Sequence, residues 1–214
     1  MKIILASNNK GKIKEIGHMF DCEVVPFSAI LGDIDIPETG TTFKENAIIK
    51  AKYVFDEIVK KDLIKDDFLV ISDDSGICID ALDGRPNIYS ARFAGTKATD
   101  EQNNQKVINE LQAKGLNSSL AHYVACICAI YKGEIYTTHG FLYGTVYTDL
   151  RGDGGFGYDP LFEPFGMNIR TAQMSLEDKK KISHRGKALG LMQRLMEVVA
   201  KVALKSKTGQ KSSY

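Results

Sequence analysis

The chain has 214 residues, of which 43% are hydrophobic and 26% charged, and its net charge is +1. This length and composition predict one globular domain with a sizeable core, and the near-zero charge argues against broad electrostatic binding to DNA or membranes. The apolar run after Lys2 is too short for a signal peptide, and no run is long enough to span a bilayer. We therefore expect a cytoplasmic protein whose four cysteines are reduced.

The chain opens with a predicted strand, a polar turn and a helix. Residues 3–6 are apolar and too few for a helix, which indicates the end of a buried strand. From Ile13 to Phe20, apolar residues recur three and four apart, with Lys14 and Glu15 on the polar side of the predicted helix. The turn between them is Ser-Asn-Asn-Lys-Gly-Lys. Amide groups and lysines at a helix start favour an anion site, although an ordinary solvated turn fits equally well.

The next part of the chain is predicted to contain two strands and a helix. A short strand ends at Pro26 and residues 28–40 form a loop. A capping box of Thr42 and Glu45 opens a helix that runs to about Lys61. Residues 68–71 form a buried strand that ends in two carboxylates and a turn at Gly76, and residues 77–82 form a second extended piece before a Gly-Pro turn at 84–86.

The second half is predicted to be a helix, a long hairpin, a loop and a final helix. Thr99 and Gln102 form a second capping box, and the helix that they open reaches residue 111. Residues 121–131 and 134–147 form strands joined by a turn at 132–133. In the first of these strands Cys126 and Cys128 face the same side, as core residues do. Residues 151–164 are a glycine-dense loop, and a short basic turn leads to a last helix with Ser183 as its N-cap.

This order of elements predicts a mixed α/β fold, with strand–helix units at both ends of a long antiparallel hairpin. No linker or internal repeat separates independent domains. We expect one domain over residues 1–205 and a basic, flexible tail over 206–214.

Two acidic residues and a basic cluster are the candidate chemical groups. Asp73 and Asp74 suit Mg²⁺, which prefers one or two carboxylates together with phosphate oxygens and water. Adjacent strand residues point to opposite faces, so one of them should meet the metal while the other braces the loop. The alternative is a pair of turn carboxylates that bind the backbone.

His184 and Arg185 lie in the first turn of the last helix, just after the lysines at 179–181. Because cations there oppose the helix dipole, they indicate a site for an electron-rich group, or else a solvated basic patch. Phe156 among glycines can stack on a base or plug the core. Together these are the kinds of group that a nucleoside-triphosphate site contains. Residues 7–13, however, match neither the P-loop nor the Rossmann fingerprint.

Five ordered blocks carry a resemblance to a known family. They are LASNNKGKIKEI, PETGTTFKENAIIKAK, SDDSGICIDALDGRPNIYSARFAG, GGFGYDPLF and ISHRGKAL, spread from residue 3 to about residue 200. In these blocks the chain resembles the inosine triphosphate pyrophosphatase family. The resemblance implies a two-lobed α/β body with a central mixed sheet and a substrate cleft between the lobes. It also implies hydrolysis of ITP, dITP and XTP to the monophosphate and pyrophosphate, a Mg²⁺ cofactor, and a homodimer that binds neither nucleic acid nor membrane.

The resemblance also assigns roles to residues. Glu38 and Asp74 would bind magnesium, and Asp74 would be the catalytic residue that accepts a proton from the attacking water. That water would be activated by the metal and attack the α-phosphorus. Specificity would follow because a 6-oxo group accepts a hydrogen bond from Arg185 while the amino group of adenine does not. The residues that would bind substrate are Ser7, Asn8, Asn9, Lys10, Gly11, Lys12, Lys50, Ser75, Phe156, Gly157, Tyr158, Asp159, Lys179, His184 and Arg185.

Two positions depart from the family's pattern. Asn8 and Asn87 stand where many members carry glycine, and Asn tolerates left-handed backbone better than most residues.

Two other functions also fit parts of the sequence. A Maf-type nucleotide pyrophosphatase also opens with a strand and Leu-Ala-Ser, but it carries an Arg-Arg pair that Lys10-Gly11-Lys12 does not reproduce. A non-catalytic nucleotide-binding module is the second, and the carboxylates Glu38 and Asp74 argue against it.

Overall fold

The computed structural model describes residues 2–18, 20 and 23–209, the side chains of 203–209 excepted. The strands are β1 (Lys2–Leu5), β2 (Val24–Pro26), β3 (Phe68–Ile79), β4 (Ser118–Tyr131), β5 (Glu134–Tyr147) and β6 (Phe162–Pro164). The helices are α1 (Lys10–Gly17), α2 (Ser28–Leu31), α3 (Phe43–Lys60), α4 (Asp100–Ala113), α5 (Leu176–Ile182) and α6 (His184–Gly209). Short 3₁₀ helices cover Asp80–Leu82, Asn87–Arg92 and Thr171–Gln173.

One mixed sheet organises the chain, which confirms the predicted fold class. Its strand order is β2-β1-β3-β4-β5-β6. Strand β1 is parallel to β2 and β3, and the remaining pairs are antiparallel. The predicted hairpin is present: Lys132 and Gly133 have φ values of 52° and 85°, as a turn that matches the strand twist requires.

Three apolar clusters form the core. One lies between α3 and the sheet and includes Cys126 and Cys128, as predicted. A second lies on the opposite sheet face, under α6 and α1. The third packs α4 against the far ends of β3, β4 and β5. Because side chains alternate along a strand, each long strand contributes to a cluster on each face.

Strand β3 corrects the prediction of two extended pieces separated by a turn at Gly76. It pairs with β4 without interruption from Leu69 to Ile79. Residues 73–76 are of types that are common in turns, but the ladder with β4 pairs their backbone groups and holds them extended. A side chain at Gly76 would collide with Asn87 O and Ser90 Oγ, so glycine serves close packing here.

The first helix also differs from the prediction. It begins at Lys10, where Asn9 caps it by accepting a hydrogen bond from Lys12 N at 3.0 Å, and it ends before Phe20. Met19 lies outside the described residues. Glu15, expected on the polar side, is 6% exposed because two cations from the last two helices surround it.

The predicted helix caps are largely confirmed. Thr99 and Gln102 form a capping box, and Ser183 accepts a hydrogen bond from Gly186 N at 2.9 Å. The box at Thr42 is half present, because the carboxylate of Glu45 binds Thr41 N at 2.7 Å instead of the cap residue.

Several segments expected to be irregular contain regular structure. The loop over 28–40 begins with α2, the loop over 151–164 ends in β6, and the basic turn before the last helix is α5. Helix α6 includes residues 206–209 of the expected tail, and residues 210–214 lie outside the described part. Cys78, Cys126 and Cys128 are free thiols, while Cys22 is not among the described residues.

None of the helices in the described part of the chain combines the length and apolar character needed to cross a membrane.

Candidate active site

A cavity of about 330 Å³ contains most of the predicted site residues. It draws on the α1 turn, α3, β3, the loop before β6 and the start of α6, which the topology brings together. The predicted residues that line it are Ser7, Asn8, Asn9, Lys12, Glu38, Lys50, Ser75, Phe156, Gly157, Tyr158, Asp159, Lys179, His184 and Arg185.

Three predicted residues do not line this cavity. Lys10 begins α1. Gly11 lies under the ring of Phe156, whose Cδ1 is 2.8 Å from the position that a Cβ on Gly11 would take. Asp74 is buried behind Lys50. We expected direct contact with phosphate from Lys10 and Gly11, and the structure gives Gly11 a packing role instead.

At one end of the cavity a lysine joins two carboxylates. Lys50 Nζ lies 2.5 Å from Asp74 Oδ1 and 3.0 Å from Glu38 Oε1. The other oxygen of Glu38 accepts a hydrogen bond from Arg92 at 2.9 Å. Burial lowers the pKa of Lys50, but Asp74 and Glu38 outweigh it, and the net shift is upward. Lys50 therefore stays charged.

Asp73 faces the other side of β3 and meets different cations. Lys12 Nζ is 2.6 Å from its Oδ2, and Arg185 Nε is 3.4 Å from its Oδ1. Burial favours the protonated form, yet Arg185 and Lys12 hold the pKa of Asp73 well below its usual range. Asp73 is thus an ionised counter-charge for Lys12 and Arg185, and it does not brace a loop as we expected for one of the two aspartates.

The environment of Asp74 is different. Burial raises the pKa of Asp74, and the attraction of Lys50 only partly offsets this effect. Its Oδ2 is buried and has no hydrogen-bond partner among the described residues. Asp74 thus has a free oxygen that can bind a further cation or a proton.

An aromatic ring beside two cations forms the other end. Lys179 Nζ and Arg185 Cζ lie 4.8 Å and 5.5 Å from the ring centroid of Phe156. Asp159 holds this arrangement, since its Oδ2 accepts from Phe156 N at 2.9 Å and from Lys179 Nζ at 2.5 Å.

Helix α4 fixes the same loop from the other side. Gly157 donates its N–H to Asp100 at 2.6 Å, and its carbonyl accepts from Asn104 at 3.0 Å. The Phe156 loop is therefore anchored on both flanks. The left-handed φ of 63° at Gly157 explains the glycine there.

His184 forms part of the wall as a neutral ring. It stacks on Tyr123 with centroids 4.6 Å apart. Burial, and then the charge of Arg185, hold the pKa of His184 well below its usual range. The expected pair of cations at the start of α6 is therefore one cation, Arg185, beside an uncharged ring.

Sequence reasoning missed several residues in and around the site, among them Glu15, Arg92 and Tyr123. Glu15 binds Lys179 at 2.7 Å and also pairs with Arg185, and Arg92 binds Glu38. Tyr123 stacks on His184. The signal for Glu15 was indirect: a buried arginine at a helix start needs a counter-charge. Arg92 and Tyr123 had no local signal, because their contacts join segments far apart in the chain.

The structure gives the backbone conformation at the two positions that depart from the family pattern. Asn87 adopts a φ of 55°, the left-handed backbone that glycine otherwise supplies. The φ angle of Asn8 is not positive, so its backbone does not need the freedom of glycine.

Within the described part of the chain, no group of three or more His, Cys, Asp or Glu side chains could hold a metal by itself. Glu38 and Asp74 supply two carboxylates near one cation position, an incomplete shell that substrate oxygens and water can complete.

Comparisons with known proteins show which proteins the chain is similar to. The Ham1 family model matches residues 3–195. A Campylobacter jejuni subsp. doylei protein named dITP/XTP pyrophosphatase is 47% identical over 202 residues, which cover 94% of this chain and 100% of that protein. A protein of the same name from Aliarcobacter butzleri is 48% identical, with 93% and 100% coverage. The solved Staphylococcus aureus Ham1 protein has a TM-score of 0.77 and 39% identity, with 92% and 98% coverage.

Proposed function

The chain belongs to the Ham1 family, and from that premise we propose that it hydrolyses ITP, dITP and XTP to the monophosphate and pyrophosphate. The relatives at 47% and 48% identity bear the name dITP/XTP pyrophosphatase. In this chain the activity would remove non-standard purine nucleotides from the nucleotide pool.

One observation carries the proposal. A single cavity has the stacking ring of Phe156 at one end and, at the other, Lys50 between the carboxylates of Glu38 and Asp74. A purine nucleoside triphosphate has the same polarity, with a flat base at one end and phosphates at the other. The cavity therefore suits the shape of the substrate class, and a divalent cation at Glu38 and Asp74 would make its charge complementary to the phosphates.

The residues at the phosphate end fit Mg²⁺. Asp74 lies behind Lys50, and its Oδ2, which is buried and has no hydrogen-bond partner among the described residues, would be a ligand for a hard cation. Glu38 lines the cavity beside it. When bound, the ion supplies positive charge that stabilises the phosphates in the transition state.

The chain's own residues account for binding and proton transfer. Lys12 and Lys50 are held in place by Asp73 and Asp74 and present positive charge to the phosphates. Asp74 accepts the proton of the water that attacks the α-phosphorus. The bond from that phosphorus to the bridging oxygen breaks, and pyrophosphate leaves toward the lysines. Positioning and charge supply most of the rate in such reactions.

Replacement of the proton acceptor tests this assignment. We expect Asp74→Asn to reduce kcat for ITP by at least about a hundredfold, because an amide cannot take the proton. Pyrophosphate release at saturating ITP and Mg²⁺ is the measurement. Lys52→Gln, which alters an exposed pair on the outer side of α3, is the control. Turnover by Asp74→Asn close to wild type would show that the assignment is wrong.

A nucleotide panel with and without Mg²⁺ tests substrate and cofactor together. We expect pyrophosphate release from ITP, dITP and XTP only with Mg²⁺. A preference for dTTP or UTP would favour a Maf-type enzyme. Tight ITP binding without pyrophosphate release would favour a binding module.

A homodimer is the proposed assembly. What supports it is an exposed aromatic patch, defined by Leu120, His122, Phe141 and Tyr143, on the α3 face of β4 and β5. Tyr143 is 55% exposed and Leu120 56%. The patch contains no carboxylate or ammonium group, so two copies can meet there without repulsion. Light scattering should give twice the mass of one chain, and Phe141→Lys should halve it. Leu150→Lys, at an exposed apolar position outside the patch, is the control.

A further inference from the structure

Tyr123 and His184 form a stacked pair in the wall of the cavity at the Phe156 end. Their ring centroids are 4.6 Å apart and their planes differ by 7°. Tyr123 is 7% exposed and His184 is 5% exposed. Both residues line the cavity, yet one comes from β4 and the other from α6.

Each ring carries a buried polar atom without a partner. Tyr123 Oη and His184 Nδ1 make no hydrogen bond to any residue that the structure describes. Tyr158 is the contrast within the same cavity, because its hydroxyl donates to Ser90 O at 2.7 Å. Buried hydroxyl groups in native proteins are nearly always paired, so the unpaired hydroxyl of Tyr123 calls for a ligand.

The cations nearby are already engaged by the protein. Arg185 donates to Ser75 Oγ at 2.9 Å and pairs with Glu15. Lys179 lies between Glu15 at 2.7 Å and Asp159 at 2.5 Å. Two neutral polar atoms, on Tyr123 and His184, are therefore free at this end among the residues described.

The hydroxyl of Tyr123 keeps its proton at neutral pH. Burial raises the pKa of Tyr123 well above its usual value, and Asp159 adds to the effect. The group can therefore donate a hydrogen bond as well as accept one.

We propose that the Tyr123 hydroxyl is a further substrate-binding group, which donates a hydrogen bond to the oxo group of a 6-oxo purine. The inference deepens the proposed function and rests on it. Because a hydroxyl can rotate to donate or accept, we expect Tyr123 to add affinity for each 6-oxo purine rather than to discriminate among them. The Tyr123 hydroxyl would form this hydrogen bond only when the base is bound.

Removal of the hydroxyl alone is the test. For Tyr123→Phe we expect KM for ITP and for XTP to rise about tenfold with kcat unchanged, the usual result of losing one buried hydrogen bond. The thermal midpoint should stay the same or rise, because the free protein loses an unpaired group. Tyr131→Phe is the matched control on the same strand. Its hydroxyl contacts Asp67 at 3.3 Å, and its KM should equal that of wild type.

A second measurement separates base recognition from general damage. Inorganic tripolyphosphate has the phosphate chain but no base, so its inhibition constant should be unchanged in Tyr123→Phe. An unchanged KM for ITP would overturn the inference, and so would a parallel rise in the tripolyphosphate constant. If wild-type protein does not hydrolyse ITP, the proposed function fails; calorimetric ITP binding to both proteins then decides the inference, with equal affinities overturning it.

Discussion

Two adjacent aspartates show how strongly position decides a residue's chemistry. Asp73 and Asp74 have the same side chain, but β3 turns them to opposite faces of the sheet. Asp73 meets Lys12 and Arg185, which keep it ionised. Asp74 meets one lysine and keeps an oxygen without a partner in the described part of the chain. The candidate catalytic group is therefore the one whose charge is less completely compensated.

The first prediction at the scale of residues concerns Gly11, which lies under the ring of Phe156. In Gly11→Ala the new Cβ would lie 2.8 Å from Phe156 Cδ1, so the ring must move. We expect KM for ITP to rise roughly tenfold, since small displacements of a binding group are costly. Steady-state kinetics is the measurement.

Gly17 in the same helix supplies the control for that change. A Cβ there would have no neighbour within 4 Å, so Gly17→Ala should leave KM alone and stabilise the protein by up to about 1 kcal/mol. Equal KM values for the two variants would contradict the packing role of Gly11.

At the scale of elements, the start of α6 depends on α1. Arg185 is 2% exposed and receives compensating charge from Glu15 on α1 and from Asp73 on β3. Glu15 also binds Lys179 on α5. One carboxylate thus ties three helices around the Phe156 end of the cavity, and the geometry of the base site depends on it.

Loss of the charge of Glu15 should destabilise the folded protein. In Glu15→Gln two buried cations lose part of their compensation, and we expect the free energy of unfolding to fall by about 3 kcal/mol. Urea denaturation is the measurement. Glu57→Gln, which alters surface pairs with Lys60 and Lys61, should change stability little. A similar small change in Glu15→Gln would show that the network does not stabilise the fold.

Local patterns explain some elements well and others poorly. The helix caps at Thr99 and Ser183 and the turn at Lys132 were predictable, because hydrogen bonds between residues a few positions apart determine them. The full length of strand β3 was not predictable, because a ladder with β4 holds the turn-forming residues 73–76 in an extended conformation. Long-range strand pairing of this kind overrides local secondary-structure propensity.

At the scale of the whole molecule, several elements of the fold meet at a cavity whose wall includes an uncharged, buried histidine. His184 stacks on Tyr123 and lies near the charges of Arg185, Asp73, Lys179 and Lys12. Its neutral form therefore depends on the packing of several elements and not on its own helix alone.

This burial predicts a pH dependence of stability. The pKa of His184 is lowered in the folded protein, so below a pH of about 6.5 the unfolded chain binds a proton that the folded chain does not. Stability is therefore fully present above that pH and falls as the pH drops. Between pH 7.5 and 5.5 we expect His184 to account for a loss on the order of 1 kcal/mol.

Denaturation at the two pH values, with wild type and His184→Gln, measures this contribution. The variant should lose less stability than wild type over the same interval, by on the order of 1 kcal/mol. Equal losses in both proteins would mean that His184 does not carry the effect.

The sequence by itself determined the fold class, most helix caps, the hairpin and the set of motifs that indicate a nucleotide site. These depend on periodicity, on short-range hydrogen bonds and on residue type, all of which are local. Only the tertiary structure decided that Glu15 is buried, that Gly11 supports Phe156, and that Tyr123 joins the cavity wall. Burial and ion pairing between distant segments depend on how elements pack, and no local pattern records that packing.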